Sequence, residues 1–551
     1  MSSLSKIAEY LPEYKSLFSA VEDARLPAAV TGLSHIHKAH LIHSLCEENH
    51  RRAVVIVPDE SEAIKLAADL NAMRPGAYVY PARDFTLRSV EGQSREYEHQ
   101  RLAVLKRMLD GDYTAVVFST EAALQLTIPP EELMKRTMLL ESGEDTPIEH
   151  VIEALLAAGY VNSGQVDGPG QFARRGGILD FFPPNSELPL RVEFWGDTVD
   201  TISYFDTDSQ RRTENVQKAE ISPATEVVFD SPEQLADKLR ALVKKLKGKP
   251  AVACASFTRD AEKLEQGVTL SALDRYLPLA YAPATVFDYG EDALLFASES
   301  LKIKERCRSF QTQMNEDIKI LLEEGVLCTG LDRYSIDYTD VLSRFEGQGV
   351  ICLENFPRAG YDFPLRELTG LTARQLSSWG GSLQLLEQDV RPALENNYTV
   401  CVMAGTEKAA RTLTEDLKNE KVRAVFHGEM PEEFVKGHIN VIPGGLSAGL
   451  DYPSGKFMLV THANASQKKK KTLRAKHKAG ESIGSLEELQ RGDYVVHSSH
   501  GIGVFEGIHK LDMQGIKKDY IKIRYAKDDI LYVPVTQLDP VSYTHLTLPT
   551  T

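Results

Sequence analysis

Cysteine is scarce in this chain of 551 residues, and its six cysteines include no C-x-x-C pair. Their spacing argues against disulfides and zinc sites and for reduced thiols, as in the cytoplasm. No apolar run approaches the length of a membrane-spanning helix, and the polar opening segment MSSLSKIAEYLPEYKS does not resemble a signal peptide. We therefore expect a cytoplasmic protein without a membrane partner.

Positive charge is also in deficit, since the formal net charge is −16 at pH 7. Such a balance repels phosphate backbones and favours protein partners over nonspecific nucleic-acid binding. The exception is a lysine-rich segment at 465–487 that carries no interleaved aromatic residues. This composition predicts a solvated linker, with contact to a DNA backbone left open.

Familiar catalytic signatures are missing as well, because the sequence holds no G-x-S-x-G, H-E-x-x-H or protein-kinase motif. His497 and His500 in VVHSSHG have no cysteine or acidic residue clustered near them in sequence. They are therefore interpreted as structural residues at a strand end and not as metal ligands. We expect no catalytic residue, no metal site and no cofactor in this chain.

What the sequence does contain is a regular alternation of apolar segments that predicts a multidomain α/β protein. AVVIVP, AYVYP and TAVVFST read as buried strands around a helix at 60–73, which is typical of an open parallel sheet. Further strands are expected within GKPAVACASF and GVICLEN. From Gly492 the pattern becomes all β, with DYIKIRYA and DILYVPV predicted to form a hairpin.

Changes of pattern along the chain predict seven segments. They are 1–125 and 221–362 as two parts of one α/β domain, 126–220 as a β-rich insertion, 363–464 as a small α/β domain, 465–487 as the basic linker, 488–541 as a small Tudor-like β-barrel and 542–551 as a tail. The tail, SYTHLTLPTT, lacks the residue patterns typical of turns and helix caps. We interpret it as foreign or read-through sequence from a truncated reading frame.

A phosphate-binding loop is suggested at AAVTGLSHIHKAH, where the G-x-x-x-x-G-K-[ST] spacing falls on residues 32–39. Only Gly32 and Lys38 fit the pattern. His37 replaces the glycine that lets backbone N–H groups wrap the phosphates, and Ala39 replaces the hydroxyl that binds magnesium. The alternative is a simple helix start with a chance lysine, and either interpretation predicts no tight ATP binding.

Two acidic segments resemble the second nucleotide motif without completing it. In VVIVPDESEA, Asp59 and Glu62 have the spacing of a capping box for the helix at 60–73. In GVICLENFPRAG, Glu354 ends a predicted buried strand but is followed by Asn355, so the acidic pair that would position magnesium and water is absent.

The segment LRVEFW at 190–195 alternates strictly, which puts Arg191, Glu193 and Trp195 on one side of a strand. Tryptophan and arginine are enriched at interface hot spots, so this side predicts a docking face. Just upstream, Arg174 and Arg175 precede a Gly-Gly pair where the backbone can turn sharply. The alternative is an exposed strand with a stray tryptophan, and the pattern by itself does not separate the two.

Together these segments resemble the bacterial transcription-repair coupling factors over nearly the whole chain to about Val541. FARRGGILDFFPPNSELPLRVEFWGDTVD is similar to the domain with which the excinuclease B protein binds the excinuclease A protein. GLSHIHKA resembles that family's excinuclease-B-like module, which has lost its ATPase motifs. RGDYVVHSSHGIGVFEGIHKL with DYIKIRYAKDDILYVPVTQLD is similar to the RNA-polymerase-interacting domain shared with the CarD regulators.

The resemblance implies partners and site residues. Arg175, Arg191 and Trp195 fall where the family binds the excinuclease A protein, although phenylalanine is expected at the tryptophan position. Leu511 and Ile508 fall on the edge expected to meet the RNA polymerase β subunit by strand addition.

The motor domains that the family carries, with their ATP, magnesium and main DNA contacts, are not among these segments. The resemblance therefore implies a monomeric adaptor and not an enzyme. Two alternatives remain open. One is an active ATP-dependent helicase or excinuclease B, and the other is a freestanding CarD-like regulator.

Overall fold

The computed structural model describes most of the chain. The described residues are 3–8, 11–85, 87–88, 95–246, 251–268, 270, 272–282, 284–290, 292–462, 494–497, 501–513, 516–525, 530–534 and 541–543. The basic segment at 465–487 lies outside them. The chain divides into two compact units, Met1–Ala465 and Ser466–Thr551, which are described separately.

The first unit opens with alternating helices and strands. These are α1 (Ser3–Ala8), α2 (Pro12–Glu22), β1 (Ala28–Thr31), α3 (His35–Glu48), β2 (Ala53–Val57), α4 (Glu60–Met73), β3 (Ala77–Tyr80), α5 (Glu96–Asp110), β4 (Ala115–Ser119), α6 (Thr120–Leu124) and α7 (Pro130–Lys135). The helix predicted at 60–73 is confirmed, and the Asp59 side chain accepts a hydrogen bond from Glu62 N at 3.0 Å.

A β-rich segment follows. It contains β5 (Met138–Glu141), α8 (Ile148–Ala157), β6 (Val161–Asn162), β7 (Gln171–Arg175), β8 (Ile178–Phe181), β9 (Leu190–Trp195), β10 (Thr198–Phe205), β11 (Arg212–Val216) and β12 (Lys218–Ile221). Six strands form one sheet in the order β11-β10-β9-β8-β7-β6, while β12 pairs with β5. Leu179, Val192 and Ile202 are buried in a core of their own with residues of α8, so this segment folds around a separate core.

The chain then returns to the α/β region. The elements are α9 (Pro232–Lys245), α10 (Ala251–Glu265), α11 (Leu277–Ala280), β13 (Leu294–Ser298), α12 (Ser300–Glu323), α13 (Tyr338–Gln348), β14 (Ile351–Leu353) and β15 (Glu367–Gly370), with short 3-10 helices at Leu273–Tyr276 and Val286–Tyr289. The prediction of a strand within GKPAVACASF is wrong, because the described residues of this segment, 251–257, belong to α10. Phe257, Ala261 and Leu264 are buried at the spacing of one helix face.

Seven strands from both sides of the β-rich segment form one sheet in the order β15-β1-β14-β13-β2-β4-β3. All neighbouring pairs are parallel. Alternate residues of β2 enter different cores, with Val54 and Ile56 on one face and Val55 and Val57 on the other. The predicted parallel α/β sheet, interrupted by a β-rich insertion, is therefore confirmed.

A smaller sheet completes the first unit. Its elements are β16 (Arg374–Leu376), α14 (Leu383–Glu395), β17 (Thr399–Met403), α15 (Glu407–Asn419), β18 (Ala424–Phe426), β19 (Ile439–Ile442), β20 (Gly449–Tyr452) and β21 (Phe457–Thr461). The strand order is β16-β20-β21-β17-β19-β18. Strand β15 lies beyond the predicted boundary at 362 but pairs with β1, so the larger sheet extends to Gly370.

The described residues of the second unit form a five-stranded antiparallel sheet. Its strands are β22 (Tyr494–His497), β23 (Gly501–Met513), β24 (Ile516–Arg524), β25 (Ile530–Pro534) and β26 (Val541–Tyr543), in the order β25-β24-β23-β22-β26. The predicted pairing of β24 with β25 is confirmed, whereas closure of the sheet into a barrel stays a prediction. Ser542 and Tyr543, which were assigned to the tail, lie in β26 and pair with Val496 and Val495 of β22. The sheet therefore extends two residues beyond the predicted boundary at 541.

Within the described ranges, no helix combines the length and apolarity needed to cross a membrane.

Candidate functional site

The predicted docking face lies on the six-stranded sheet. Arg175 of β7 pairs with Ile178 of β8, which pairs with Glu193 of β9, so these three side chains share a face. Trp195 lies on that face two residues beyond Glu193. It precedes the turn at Gly196, whose φ of +64° favours glycine. Trp195 is 83% exposed, which is the largest exposure among the large apolar residues of the described chain.

The two neighbouring arginines of β7 point to opposite faces, as strand geometry requires. Arg174 Nη2 lies 3.0 Å from Glu149 Oε1 on α8, so this side chain joins the sheet to its covering helix. Arg175 is exposed on the Trp195 side, and its guanidinium donates a long hydrogen bond of 3.4 Å to the Gly164 carbonyl. Both arginines are exposed, but Arg174 is paired with a carboxylate on the opposite face, whereas Arg175 lies on the Trp195 face without a carboxylate partner among the described residues.

Arg191 shares the face but is held inside the domain. Its guanidinium forms a two-point ion pair with Asp180, with Nε–Oδ1 at 2.7 Å and Nη2–Oδ2 at 2.8 Å. It also donates to the Gln210 carbonyl at 3.1 Å and lies 4.6 Å from the Phe205 ring centroid. The hydrogen bonds to Asp180 raise the pKa of Arg191. Asp180 is almost fully buried, so its ion pair holds the Arg191 side chain against the interior of the domain. Arg191 therefore stabilises the sheet that carries this face.

Sequence reasoning missed the charged network that ties the β-rich domain to the α/β sheet. Arg101 of α5 pairs with Glu226, which follows β12, and both side chains are fully buried. Arg83 bridges the same cluster, with Nε 3.5 Å from Glu226 and Nη2 3.1 Å from Asp274. Glu98 accepts hydrogen bonds from Glu226 N and Thr225 Oγ1, each at 2.8 Å. No local sequence pattern predicts this network, because its members come from segments that are far apart in the chain.

The degenerate phosphate loop follows β1 at the carboxyl edge of the large sheet. Gly32 has φ +87°, and a β-carbon there would lie only 2.2 Å from the Leu371 carbonyl oxygen. The Leu371 N–H donates to the Thr31 carbonyl at 2.9 Å, so the segment after β15 lies directly against the loop. Backbone therefore occupies space beside the glycine, and the glycine serves this close approach.

Lys38 is committed to an internal ion pair. Its ammonium contacts the Glu299 carboxylate and donates to Ser298 Oγ at 3.0 Å, at the end of β13. Burial lowers the pKa of Lys38, and the Glu299 charge opposes that effect. Glu299 itself has φ +57°, which turns its chain from β13 into α12. The charge of the lysine that would bind phosphate is thus compensated by a carboxylate of the same fold.

His37 and Ala39 close the loop further. The His37 Nδ1 lies 2.7 Å from Ser34 Oγ, and its ring meets Tyr452 edge-on at 5.0 Å between centroids. Burial first, and then the neighbouring His40, lower the pKa of His37 to about 3. Ala39 is fully buried and has no side-chain oxygen. Position 39 therefore lacks the hydroxyl with which a phosphate loop of this pattern binds magnesium.

The acidic candidates also have structural partners. Glu354, 2% exposed, accepts hydrogen bonds from the backbone and hydroxyl of Ser300 at the start of α12. Arg358 lies 3.6 Å from the same carboxylate. The part of the chain that the structure describes contains no group of three or more histidine, cysteine or carboxylate residues arranged to hold a metal.

Ile508 and Leu511 both lie on β23 and pair with Ile521 and Lys518 of β24. Within the described residues, β22 pairs with residues 501–504 of β23 and with no later part of that strand. Among the described strands, the remainder of β23 therefore has a neighbour on one side only. His497 ends β22, in keeping with its interpretation as a strand-end residue, while His500 lies outside the described residues.

Two family models match the chain in these regions. The model described as "UvrB interaction domain" matches residues 138–227, and the model described as "CarD-like/TRCF RID domain" matches residues 489–543. The chain therefore combines a region similar to the UvrB interaction domain with a region similar to the CarD-like domain, and the first of these is inserted in an α/β framework. The exposed Trp195 face belongs to the first of these domains.

Curated relatives named "Transcription-repair-coupling factor" match along nearly the whole chain. The Bacillus subtilis (strain 168) protein is 29% identical over 98% of this chain and 47% of its own length. The Staphylococcus aureus (strain MRSA252) protein is 26% identical over 93% of this chain and 44% of its own length. The chain thus spans about half the length of the curated relatives it matches. The resemblance to the transcription-repair coupling factors is confirmed.

Proposed function

We propose that this chain is an adaptor that couples stalled transcription to nucleotide excision repair. The β-rich domain binds the excinuclease A protein through the face of Arg175 and Trp195. The second unit binds the RNA polymerase β subunit. The observation that carries the proposal is the 83% exposure of Trp195 within the region that matches the UvrB interaction domain. A large exposed aromatic residue beside an arginine is typical of interface hot spots.

The three predicted residues have different roles in this adaptor. Arg175 and Trp195 contact the excinuclease A protein directly. Arg191 positions this face through Asp180, since most of its donors already have partners within the domain. Loss of Arg191 is therefore expected to weaken binding by disturbing the sheet.

Polymerase binding is assigned to the part of β23 that contains Ile508 and Leu511. Of the described strands, only β24 pairs with this part of β23, so its other edge can receive a strand of the polymerase. Ile508→Asp and Leu511→Asp are expected to weaken polymerase capture at least tenfold, with binding of the excinuclease A protein unchanged as the folding control.

The α/β module serves as a scaffold and not as an ATPase. This part of the proposal is supported by the ion pair of Lys38 with Glu299 and by the buried His37 and Ala39. The same contacts disfavour an active helicase or excinuclease B. We further propose that the chain acts as a monomer, in the cytoplasm, without a cofactor of its own. ATP, magnesium and the main DNA contacts would belong to motor domains outside these residues.

Pull-down with purified excinuclease A protein tests the adaptor role. Arg175→Ala and Trp195→Ala are each expected to weaken binding at least about tenfold. The matched controls are Arg174→Ala on the opposite face and Leu156→Ala, an exposed apolar residue of α8. Equal binding by Trp195→Ala and Leu156→Ala would remove the proposed face.

A further inference from the structure

A cavity of about 480 Å³ lies at the edge of the large sheet opposite the phosphate loop. Ala53 and Ala115, the first residues of β2 and β4, form part of its wall, and Asp292 lies just before β13. Ile42 and Leu70 add an apolar part to the lining. Its volume falls in the range of small-molecule sites, roughly 300–1,000 Å³. The degenerate nucleotide motif has no part in it.

The end of α3 directs a run of basic residues towards this cavity. The Arg51 N–H donates to the Cys46 carbonyl at 3.0 Å, and the His50 N–H donates to the Glu47 carbonyl at 3.4 Å. These two bonds form a Schellman motif, whose left-handed position usually holds glycine. Here His50 adopts φ +51°, so a residue with a β-carbon occupies a conformation that disfavours one. His50, Arg51 and Arg52 all line the cavity.

Arginines from two elements meet there with hydrogen-bond donors to spare. The guanidiniums of Arg52 and Arg74 make no hydrogen bond or ion pair with any residue that the structure describes. Arg52 lies 5.3 Å from the Tyr113 ring centroid, which orients it. Arg51 is anchored by bonds of 3.0 and 3.1 Å to the Asp292 and Ala293 carbonyls. One anchored and two available guanidiniums therefore border the same hollow.

Two carboxylates also line the cavity, and they limit its positive charge. Glu47 is paired with His43, with His43 Nε2 at 3.0 Å from Glu47 Oε2. Asp292 is exposed at the rim. Helices α3, α4 and α5 end at this edge, and cations near helix ends stabilise them. That effect accounts for basic residues at the edge, but it requires neither a cavity nor their convergence on one.

We propose that this cavity binds a small phosphate-bearing anion. Guanidinium groups present paired donors that match phosphate oxygens, and the combination of Arg51, Arg52 and Arg74 suits a diphosphate better than a single charge. Among the lining residues the one phenol ring, that of Tyr113, is buried, and the His50 imidazole is the one exposed ring. The phosphate groups are therefore the part of the ligand that is recognised.

Isothermal titration of the 551-residue chain with inorganic pyrophosphate tests the site. Saturable binding is expected, and Arg52→Gln and Arg74→Gln should each weaken it at least about tenfold. Asp292→Asn should strengthen binding, because it removes a negative charge from the rim. The matched control is Arg391→Gln, an exposed arginine of α14 outside the cavity, which should leave the affinity unchanged.

Three outcomes would overturn the proposal. One is the absence of pyrophosphate binding. The second is equal affinity for pyrophosphate in Arg52→Gln, Arg74→Gln and Arg391→Gln. If Arg52→Gln and Arg74→Gln then lower only the thermal midpoint of unfolding, the two arginines serve helix-end stabilisation alone. The third is binding of a short DNA duplex that Arg52→Gln and Arg74→Gln weaken while pyrophosphate does not compete, which would assign these residues to a nucleic-acid surface.

Discussion

Arg101 and Glu226 form an ion pair that is completely buried, with Arg101 Nε 2.6 Å from Glu226 Oε1. Arg101 belongs to α5 of the large α/β module, and Glu226 lies where the chain leaves the β-rich domain. The pair therefore joins the scaffold to the domain proposed to bind the excinuclease A protein. Burial alone would raise the pKa of Glu226, but the Arg101 and Arg83 charges hold it below its usual value.

Arg101→Ala should lower the free energy of unfolding by about 3–5 kcal/mol, because it leaves Glu226 buried with one guanidinium partner fewer. Urea denaturation followed by circular dichroism measures the change. Arg107→Ala, on the same helix but paired with Asp112 at the surface, should cost at most about 1 kcal/mol. Equal losses in the two variants would contradict a special role for the buried pair.

Arg191→Ala should destabilise the β-rich domain by about 3 kcal/mol, since Asp180 is left buried without its two-point partner. The double variant Arg191→Ala/Asp180→Ala should recover part of this loss, because the unpaired charge is then also removed. Thermal unfolding of the single and double variants provides the test. A double variant whose loss equals the sum of the two single losses would show that the pair is not coupled.

Lys38→Met should reduce stability without changing any response to nucleotide. The substitution leaves the Glu299 carboxylate without its buried cation, so we expect a cost of about 3 kcal/mol. The paired variant Lys38→Met/Glu299→Gln should be closer to the native stability. ATP with magnesium should shift the thermal midpoint of neither the native chain nor the variants. An ATP-dependent rise that Lys38→Met abolishes would restore the loop as a binding site.

Acid should destabilise the first unit through the histidines of α3. Burial holds the pKa of His37 near 3 and that of His40 near 4 in the folded chain. The ordinary value of about 6.5 applies once the chain unfolds. Below pH 6.5 the unfolded state therefore binds more protons, so stability is lost as the pH falls towards 4.

Each of these histidines should cost about 2 kcal/mol between pH 7 and pH 5. His37→Gln should remove about that much of the pH dependence, measured by urea denaturation at both pH values. His438→Gln, at a partly exposed position just before β19, is the control. Identical pH dependence in the native chain and both variants would rule out the assignment.

Local patterns sufficed for the elements whose signals lie within a few residues of one another. The helix at 60–73 follows from its cap at Asp59, and β9 follows from the strict alternation of LRVEFW. At GKPAVACASF a short apolar run did not distinguish a strand from a helix, and burial of Phe257 against the α/β core decided for the helix.

The sequence by itself determined the parallel α/β scaffold, the inserted β-rich domain and the loss of the nucleotide motif, because strand periodicity and missing side-chain groups are local properties. Only the tertiary structure decided that Arg191 is bound to Asp180 while Arg175 and Trp195 remain exposed. It likewise decided that Lys38 is neutralised by Glu299, a residue far away in the chain. Ion pairs of this kind depend on which segments meet in space, and spacing along one segment does not contain that information.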